Sequence, residues 1–242
     1  MLPLTTNEKE RSMFTTTQTT TTKEQIKSLM NVTLLNCMGD DLTVVNAARV
    51  SFANTSYGLE KRDVKLIEYL AKHNHWTPFG HVQFSFRVKA PIFVARQLAK
   101  HQVGLVWNEV SRRYVKDEPE FFTPDMWRGT AANVKQGSSD ESVYDPEYCS
   151  DTLEDLHTAA LHAYDSLLEE GVAPEQARMV LPLSMYTEWV WTGSLAAFMR
   201  VVNLRTHPTA QEEVKVVARK IGSYIKQACP HSYEALKVEE NI

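Results

Sequence analysis

Cysteine is scarce in this chain, three among 242 residues, and Cys37, Cys149 and Cys229 stand too far apart to form any C-x-x-C pair. That spacing excludes a disulfide framework and a zinc ribbon, and it fits a reducing compartment. Positive charge is also in short supply: 26 Lys and Arg face 30 Asp and Glu, for a net charge of −4. A general nucleic-acid binder carries a basic excess that releases counterions from phosphate, so no nucleic-acid partner is expected and any cationic site is local. No apolar run reaches the ~18 residues of a membrane span. Residues 1–28 hold no apolar segment of the secretory kind, so a cytoplasmic protein without a membrane partner is expected. Several signatures are missing as well: no G-x-G-x-x-G follows a strand pattern, and no P-loop or G-x-S-x-G elbow occurs. Nucleotide binding by a Rossmann or P-loop fold therefore has no support.

What is present begins with an interior: 43% of the residues are hydrophobic, enough for one domain with a substantial core. Residues 1–29 contain the Thr-rich tract Thr15–Thr22, which offers too little apolar surface to offset the entropy of ordering. A flexible extension is expected there, with a single folded domain over 30–242. The sequence predicts a short strand at Val32–Leu35, a helix capped by Asp40 or Asp41, and a helix over Asp63–Lys72. Strict alternation, with Val82, Phe84, Phe86 and Val88 on one side, marks a strand. Pro91 then opens a helix whose polar face would carry Arg96 and Lys100, and Gln97 and His101, at four-residue spacing. Lys116–Pro146 reads as a surface loop or lid. Asp151–Glu170 reads as a helix with an apolar stripe of Leu153, Leu156, Ala160, Ala163 and Leu167. Leu181–Trp191 is read as extended, Ser194–Leu204 as helical, and Pro208–Ala228 as a last helix that Pro230 closes. Helices flanking a small, mostly antiparallel sheet make the expected fold class α+β.

The densest chemistry lies in Ala95–Tyr114, ARQLAKHQVGLVWNEVSRRY. Guanidinium groups hold phosphate through paired donors, and Gln or Asn reads both a donor and an acceptor on a pyrimidine edge. Glu109, Ser111, Arg112 and Arg113 suit a nucleotide's sugar, base and phosphate, while a solvated charged helix face with a capping box is the plainer reading of the same residues. His73, His75 and His81 raise a zinc site, but zinc needs three or four converging ligands and no Cys or H-E-x-x-H spacing accompanies them. A place for His75 and Thr77 at the edge of a cofactor is the better reading, and no metal is expected. Arg178 and Arg205 each lie beside an apolar helical stretch, where an ordinary ion-pair role competes with ligand contact.

The stretch Gln97–Tyr114 resembles the signature of the flavin-dependent thymidylate synthases, an Arg-His-Arg followed after seven residues by Ser, inside a longer Gln…Asn-Glu-x-Ser-x-Arg-Tyr pattern. The resemblance runs through MGDDLTVVNAARVSFAN (Met38–Asn54), HWTPFGHVQFSFRVKAPIFVARQ (His75–Gln97), ARMVLPLSMYTEW (Ala177–Trp189) and NLRTHPTAQEE (Asn203–Glu213), in order across about residues 32–235. There are departures. Lys100, His101 and Gln102 replace Arg-His-Arg, and eight residues separate Gln102 from Ser111. Lys100 keeps a positive charge without the flat fork of Arg. Gly80 stands where the family often has Glu, and Ser194 and Arg200 stand where Asn is common.

The resemblance implies reductive methylation of dUMP to dTMP, with FAD as cofactor, methylenetetrahydrofolate as carbon donor and NADPH as reductant, leaving tetrahydrofolate. It implies a homotetramer whose active sites combine residues of different subunits. By position, Gln97, Lys100, Glu109, Ser111, Arg112, Arg113 and Arg178 would contact dUMP. Arg205 would lie against the pyrimidine as the catalytic cation, favouring negative charge on N3 or O4 and so making C5 nucleophilic. Ser51, His75, Thr77, Lys100, His101, Gln102, Glu109, Ser194 and Arg200 would surround FAD. Two further readings use the same residues. One is a dUMP-binding regulatory protein that has lost flavin chemistry through the changes at Gly80, Lys100 and Gln102; the other is a single-stranded nucleic-acid binder working through Trp107, Arg112 and Arg113.

Overall fold

A computed structural model describes residues 30–115, 117–131 and 137–238; the expected extension over 1–29 lies outside the described residues. The frame is a four-stranded antiparallel sheet in the order β1-β2-β6-β3, built from Asn31–Met38 (β1), Gln83–Pro91 (β2), Leu105–Glu109 (β3) and Tyr186–Ser194 (β6). A separate ribbon pairs Arg128–Thr130 (β4) with Ser138–Ser142 (β5). The α-helices are Asp41–Arg49 (α1), Lys61–Lys72 (α2), Ile92–Leu98 (α3), Pro146–Glu169 (α4), Pro174–Ala177 (α5), Leu195–Thr206 (α6), Glu212–Ala228 (α7) and Pro230–Leu236 (α8). The expected α+β class, a small antiparallel sheet flanked by helices in one domain, is the class observed.

Alternation along β2 sets the core. Phe84, Phe86 and Val88 are buried on one face, and β6 adds Trp189 and Trp191 beside them, in a register that pairs Phe86 with Trp191 and Val88 with Trp189. Phe198 of α6 meets this layer edge-on, 5.0 Å from the Phe86 ring and 5.2 Å from Trp191. Ile221 and Ile225 of α7 are fully buried in the same cluster. Each such side chain contributes roughly 1.5–3 kcal/mol on leaving water. Where β6 passes the turn before β3, Gly193 is required: a Cβ there would run into the carbonyl oxygen of Gly104 and lie 2.6 Å from Leu105 Cδ2. Gly104 itself has φ +76°, the left-handed region that glycine enters without strain.

Asp40 caps α1, its carboxylate accepting from the Thr43 N–H at 2.9 Å while the Thr43 hydroxyl accepts from the Asp40 N–H. The far end of α1 is pinned to α2 by an ion pair between Arg49 and the buried Asp63. Asp63 also accepts from the Ser56 hydroxyl at 3.3 Å and the Glu60 N–H at 2.9 Å. The connecting segment, which carries Ser51, is thereby anchored at both ends.

Four expectations change. The helix after Pro91 ends at Leu98, with Ala99 as its C-cap, so Lys100 and His101 leave it in a tight turn and the expected four-residue pairs share no helix face. The expected loop over Lys116–Pro146 contains the β4–β5 ribbon and a bridge from Phe121 to Met185; strands this short show no alternation to read. On α4 the expected stripe is only partly covered: Ala160 is buried, Leu153, Ala163 and Leu167 are half-buried, and Leu156 is about half exposed. The last long helix starts at Glu212 rather than Pro208, and Pro230 opens α8 instead of ending helical structure. The α8 start is held by Asp41, which accepts from the N–H groups of His231 and Ser232 at 2.9 Å each.

Candidate functional site

Sheet pairing brings the end of α3 and the turn after it against α6. Arg205, near the C-terminus of α6, donates from Nε to His101 Nε2 at 2.9 Å and from Nη2 to the Gln97 carbonyl oxygen at 3.1 Å. The two bonds hold the guanidinium plane in one orientation. Because His101 accepts at Nε2, its neutral ring carries the proton on Nδ1. Burial and the nearby Arg205 and Arg200 guanidiniums hold the imidazole below its ordinary 6.5, and burial also lowers Arg205.

This group opens onto a cleft of about 580 Å³ whose wall includes Gln97, Arg128, Arg205, His207 and Gln211. A polar chain runs along it. Gln97 Nε2 donates to Gln211 Oε1, Gln211 Nε2 donates to Glu213 Oε2 at 2.9 Å, and Arg128 of the β4–β5 ribbon donates to Glu213 Oε1 at 2.7 Å. Arg128 is in turn fixed by Nε on Ser138 Oγ at 2.8 Å.

A second cleft, of about 810 Å³, holds Glu109, Arg112 and Arg178, walled by Tyr186, Thr187 and Lys89. Glu109 is oriented from both sides, accepting from Thr187 Oγ1 at 2.6 Å and from Trp107 Nε1 at 3.1 Å. The Trp107 ring stacks on Trp189 at 4.2 Å, which ties β3 to the core face of β6. Arg112 donates to the Asp117 carbonyl and Arg178 to the Glu175 carbonyl at 3.2 Å. Both guanidiniums therefore keep further N–H donors for a ligand. Ser111 lies next to this wall, and its hydroxyl accepts from Arg113 Nε at 3.2 Å.

His75 and Arg200 line a third, smaller hollow of about 320 Å³ between α2 and α6. Arg200 donates to the Val103 carbonyl at 2.6 Å and so braces the turn before β3. Ser194 caps α6, accepting from the Ala197 N–H at 3.2 Å. Ser51 is exposed in the turn after α1, Thr77 precedes the turn Pro78–Gly80, and Lys100 and Gln102 are exposed beside His101. Among the described residues, the side chains of Ser51, His75, Thr77, Lys100 and Gln102 make no hydrogen bond or ion pair.

The structure thus gathers Gln97, His101 and Arg205 in one place, Glu109, Arg112 and Arg178 in another, and His75 and Arg200 in a third. Reading the sequence missed Arg128, Thr187, Gln211 and Glu213. Gln211 and Glu213 lie inside the block Asn203–Glu213 and in the helix expected from Pro208, with no role of their own in that pattern. Arg128 sits in a segment read as loop, and nothing in its neighbourhood announces its partner 85 positions away.

Comparison with known proteins bears on the whole arrangement. The thymidylate synthase complementing protein family matches residues 33–231. The flavin-dependent thymidylate synthase of Thermosipho africanus is 42% identical over 205 residues, covering 84% of this chain and 88% of the relative. That of Thermus thermophilus is 42% identical over 206 residues, covering 85% and 75%. Among solved structures, a UMP/dUMP methylase, PolB from Streptomyces cacaoi bound with 5-Br dUMP, superposes with a TM-score of 0.78 at 32% identity, covering 85% of this chain and 94% of that one.

Proposed function

This chain belongs to the thymidylate synthase complementing protein family, the flavin-dependent thymidylate synthases, and we propose that it methylates dUMP reductively to dTMP. It is an enzyme with FAD as cofactor; methylenetetrahydrofolate as carbon donor and NADPH as reductant complete the reading. The observation that carries it is the guanidinium of Arg205, fixed by His101 and by the Gln97 carbonyl at the wall of an open cleft. A preorganised cation beside a pyrimidine stabilises negative charge on N3 or O4 at no reorganisation cost, and that charge makes C5 the nucleophilic carbon. Arg112 and Arg178 supply the spare donors that a 5′-phosphate takes. Glu109, locked by Thr187 and Trp107, offers a fixed acceptor for a sugar or base donor.

The donor set suits FAD. Ser51, His75, Thr77, Lys100 and Gln102 are exposed polar side chains with no hydrogen bond or ion pair among the described residues, and Lys100 supplies the positive charge that a pyrophosphate needs. When bound, FAD supplies the hydride chemistry, and these residues bind and orient it. His101 keeps its Nε2 on Arg205, and Ser194 and Arg200 stabilise the segments that flank the cofactor's surroundings. Division of the expected contacts among three clefts of one protomer supports a homotetramer in which subunits complete each other's sites. The catalytic domain spans 30–242 in this reading. Among the described residues no helix is long and apolar enough to cross a membrane, and a cytoplasmic location is part of the proposal.

The test is a purified sample's visible spectrum with and without dUMP, followed by dTMP formation with methylenetetrahydrofolate and NADPH. The expected result is a yellow protein whose flavin band shifts with dUMP, and an Arg205→Ala variant that keeps its circular dichroism and loses turnover. A colourless protein that FAD does not reconstitute overturns the reading. dUMP binding without NADPH oxidation favours a regulatory protein instead, and steeply salt-dependent binding of oligonucleotides favours the nucleic-acid reading.

A further inference from the structure

The polar chain that ends on Gln97 has a direction. A carboxylate accepts hydrogen bonds and donates none, so Glu213, placed 2.9 Å from the Gln211 amide, requires that amide to present its NH2 group. Gln211 then presents its oxygen to Gln97, and Gln97 must answer with its own NH2 group. One end of Gln97 is thereby decided: its Oε1 is left as an acceptor, with no hydrogen bond among the described residues, at the edge of the cleft that Arg205 shares. The far end of the chain is equally firm. Glu213 has a side chain only 9% exposed, and its second oxygen is taken by Arg128, itself held by Ser138. An amide on its own turns over at little cost, because its oxygen and nitrogen have nearly the same size; here turning one amide over sets like groups against each other along the whole chain.

Uracil and cytosine differ at two adjacent edge atoms. Uracil carries a donor at N3 and an acceptor at O4, whereas cytosine carries an acceptor at N3 and a donor at N4. A glutamine that meets this edge with its oxygen on position 3 and its remaining N–H on position 4 fits uracil, and the same amide turned over fits cytosine. We propose that Glu213 is a positioning residue for base selectivity: through Gln211 it fixes the polarity of the Gln97 amide, so that the site takes a uracil nucleotide and rejects a cytosine one. The proposal rests on the assignment of Gln97 to the pyrimidine in the reading above. Arg128 acts one step further out, by orienting Glu213.

The test measures dissociation constants of dUMP and dCMP for the FAD-loaded protein by equilibrium titration, for wild type, Glu213→Gln, Gln211→Leu and Arg128→Met. In Glu213→Gln the donor-only Arg128 takes the oxygen of the new amide and turns its NH2 group to Gln211, so the polarity of the chain is reversed; in Gln211→Leu the chain is cut. Both are expected to lower the preference for dUMP over dCMP by about 10- to 100-fold, the discrimination carried by one bidentate amide–base pair. Arg128→Met keeps the acceptor-only carboxylate and is expected to hold the preference within about threefold while binding of both nucleotides weakens together; a merely structural role for the chain predicts the same behaviour from all three variants. Unchanged preference in folded Glu213→Gln and Gln211→Leu overturns the proposal and leaves the enzyme's assignment standing. Wild-type protein that binds neither nucleotide overturns both. Should either variant fail to fold, preference in the double variant Glu213→Gln/Arg128→Met, which removes the unpaired cation with the carboxylate, decides in the same way.

Discussion

Removing the carboxylate of Asp63 tests how the Ser51 segment is held. Asp63 is fully buried, and its partner Arg49 has a side chain only 14% exposed. In Asp63→Ala the guanidinium stays where it is and loses its counter-charge, while the Ser56 hydroxyl and the Glu60 N–H lose an acceptor. Arg49 Nε is already buried without a partner among the described residues, so nothing nearby takes over. Breaking one side of a buried pair costs about 3–5 kcal/mol, because the remaining charge is stranded away from water. At about 2–4 °C per kcal/mol for a chain of this size, the thermal midpoint should fall by roughly 6–20 °C. Circular dichroism melts at neutral pH read this directly. Replacing both partners, Arg49→Met with Asp63→Leu, should recover most of the loss, since the stranded charge goes too. The pH dependence has a sign. Burial raises the Asp63 carboxyl, but the Glu60 N–H, Arg49 and Ser56 outweigh it, and the group lies below its ordinary 3.8. The unfolded chain therefore takes up the proton first on acidification, so the stability gap between wild type and Asp63→Ala is full above about pH 5 and shrinks as pH falls through the lowered value. A single variant that melts within about 2 °C of wild type, or a double variant no better than the single, refutes this account of the pair.

His101 gives a second pH signature. Its pKa lies below the ordinary 6.5, so neutral protein keeps the acceptor for Arg205; as pH falls from 6.5 through the lowered value, protonation abolishes that acceptor and sets two cations side by side. The acid limb of kcat/KM should fall below pH 6.5, and a limb above it contradicts the arrangement. Gly193→Ala should destabilise the fold by about 1–3 kcal/mol, because its Cβ meets the Gly104 carbonyl; denaturant titration showing no loss would mean that β3 yields freely.

The sequence made plain whatever was local and periodic. The alternation of β2 and the Asp40 cap are read within a few residues, and both are found where expected. The limits of α3 were not legible, since Arg96–His101 keeps helical spacing while the glycine that turns the chain comes only at Gly104. The apolar stripe of α4 was read correctly as a pattern, but pattern does not say what covers it, and in one protomer Ala160 alone of the stripe is fully buried while Leu156 stays exposed. Within the site, Gln97, His101 and Arg205 were named through a family resemblance; their mutual hydrogen bonds span more than a hundred positions and leave no trace in spacing. Glu213 and Arg128 escaped for the same reason, each being an ordinary charge until the fold supplies the other.

The central pairing of the sheet joins Gln83 to Ser194 and Pro91 to Tyr186, residues about a hundred positions apart. Closing so large a loop costs entropy before any contact repays it, and topologies built on such pairings fold slowly. The Arg205–His101 bond, spanning 104 positions across that closure, exists only in molecules that have completed it. Nucleotide titration of a freshly refolded sample therefore counts finished molecules, while far-ultraviolet ellipticity also counts chains whose helices formed ahead of the sheet; the interval between the two signals is a clock for that closure.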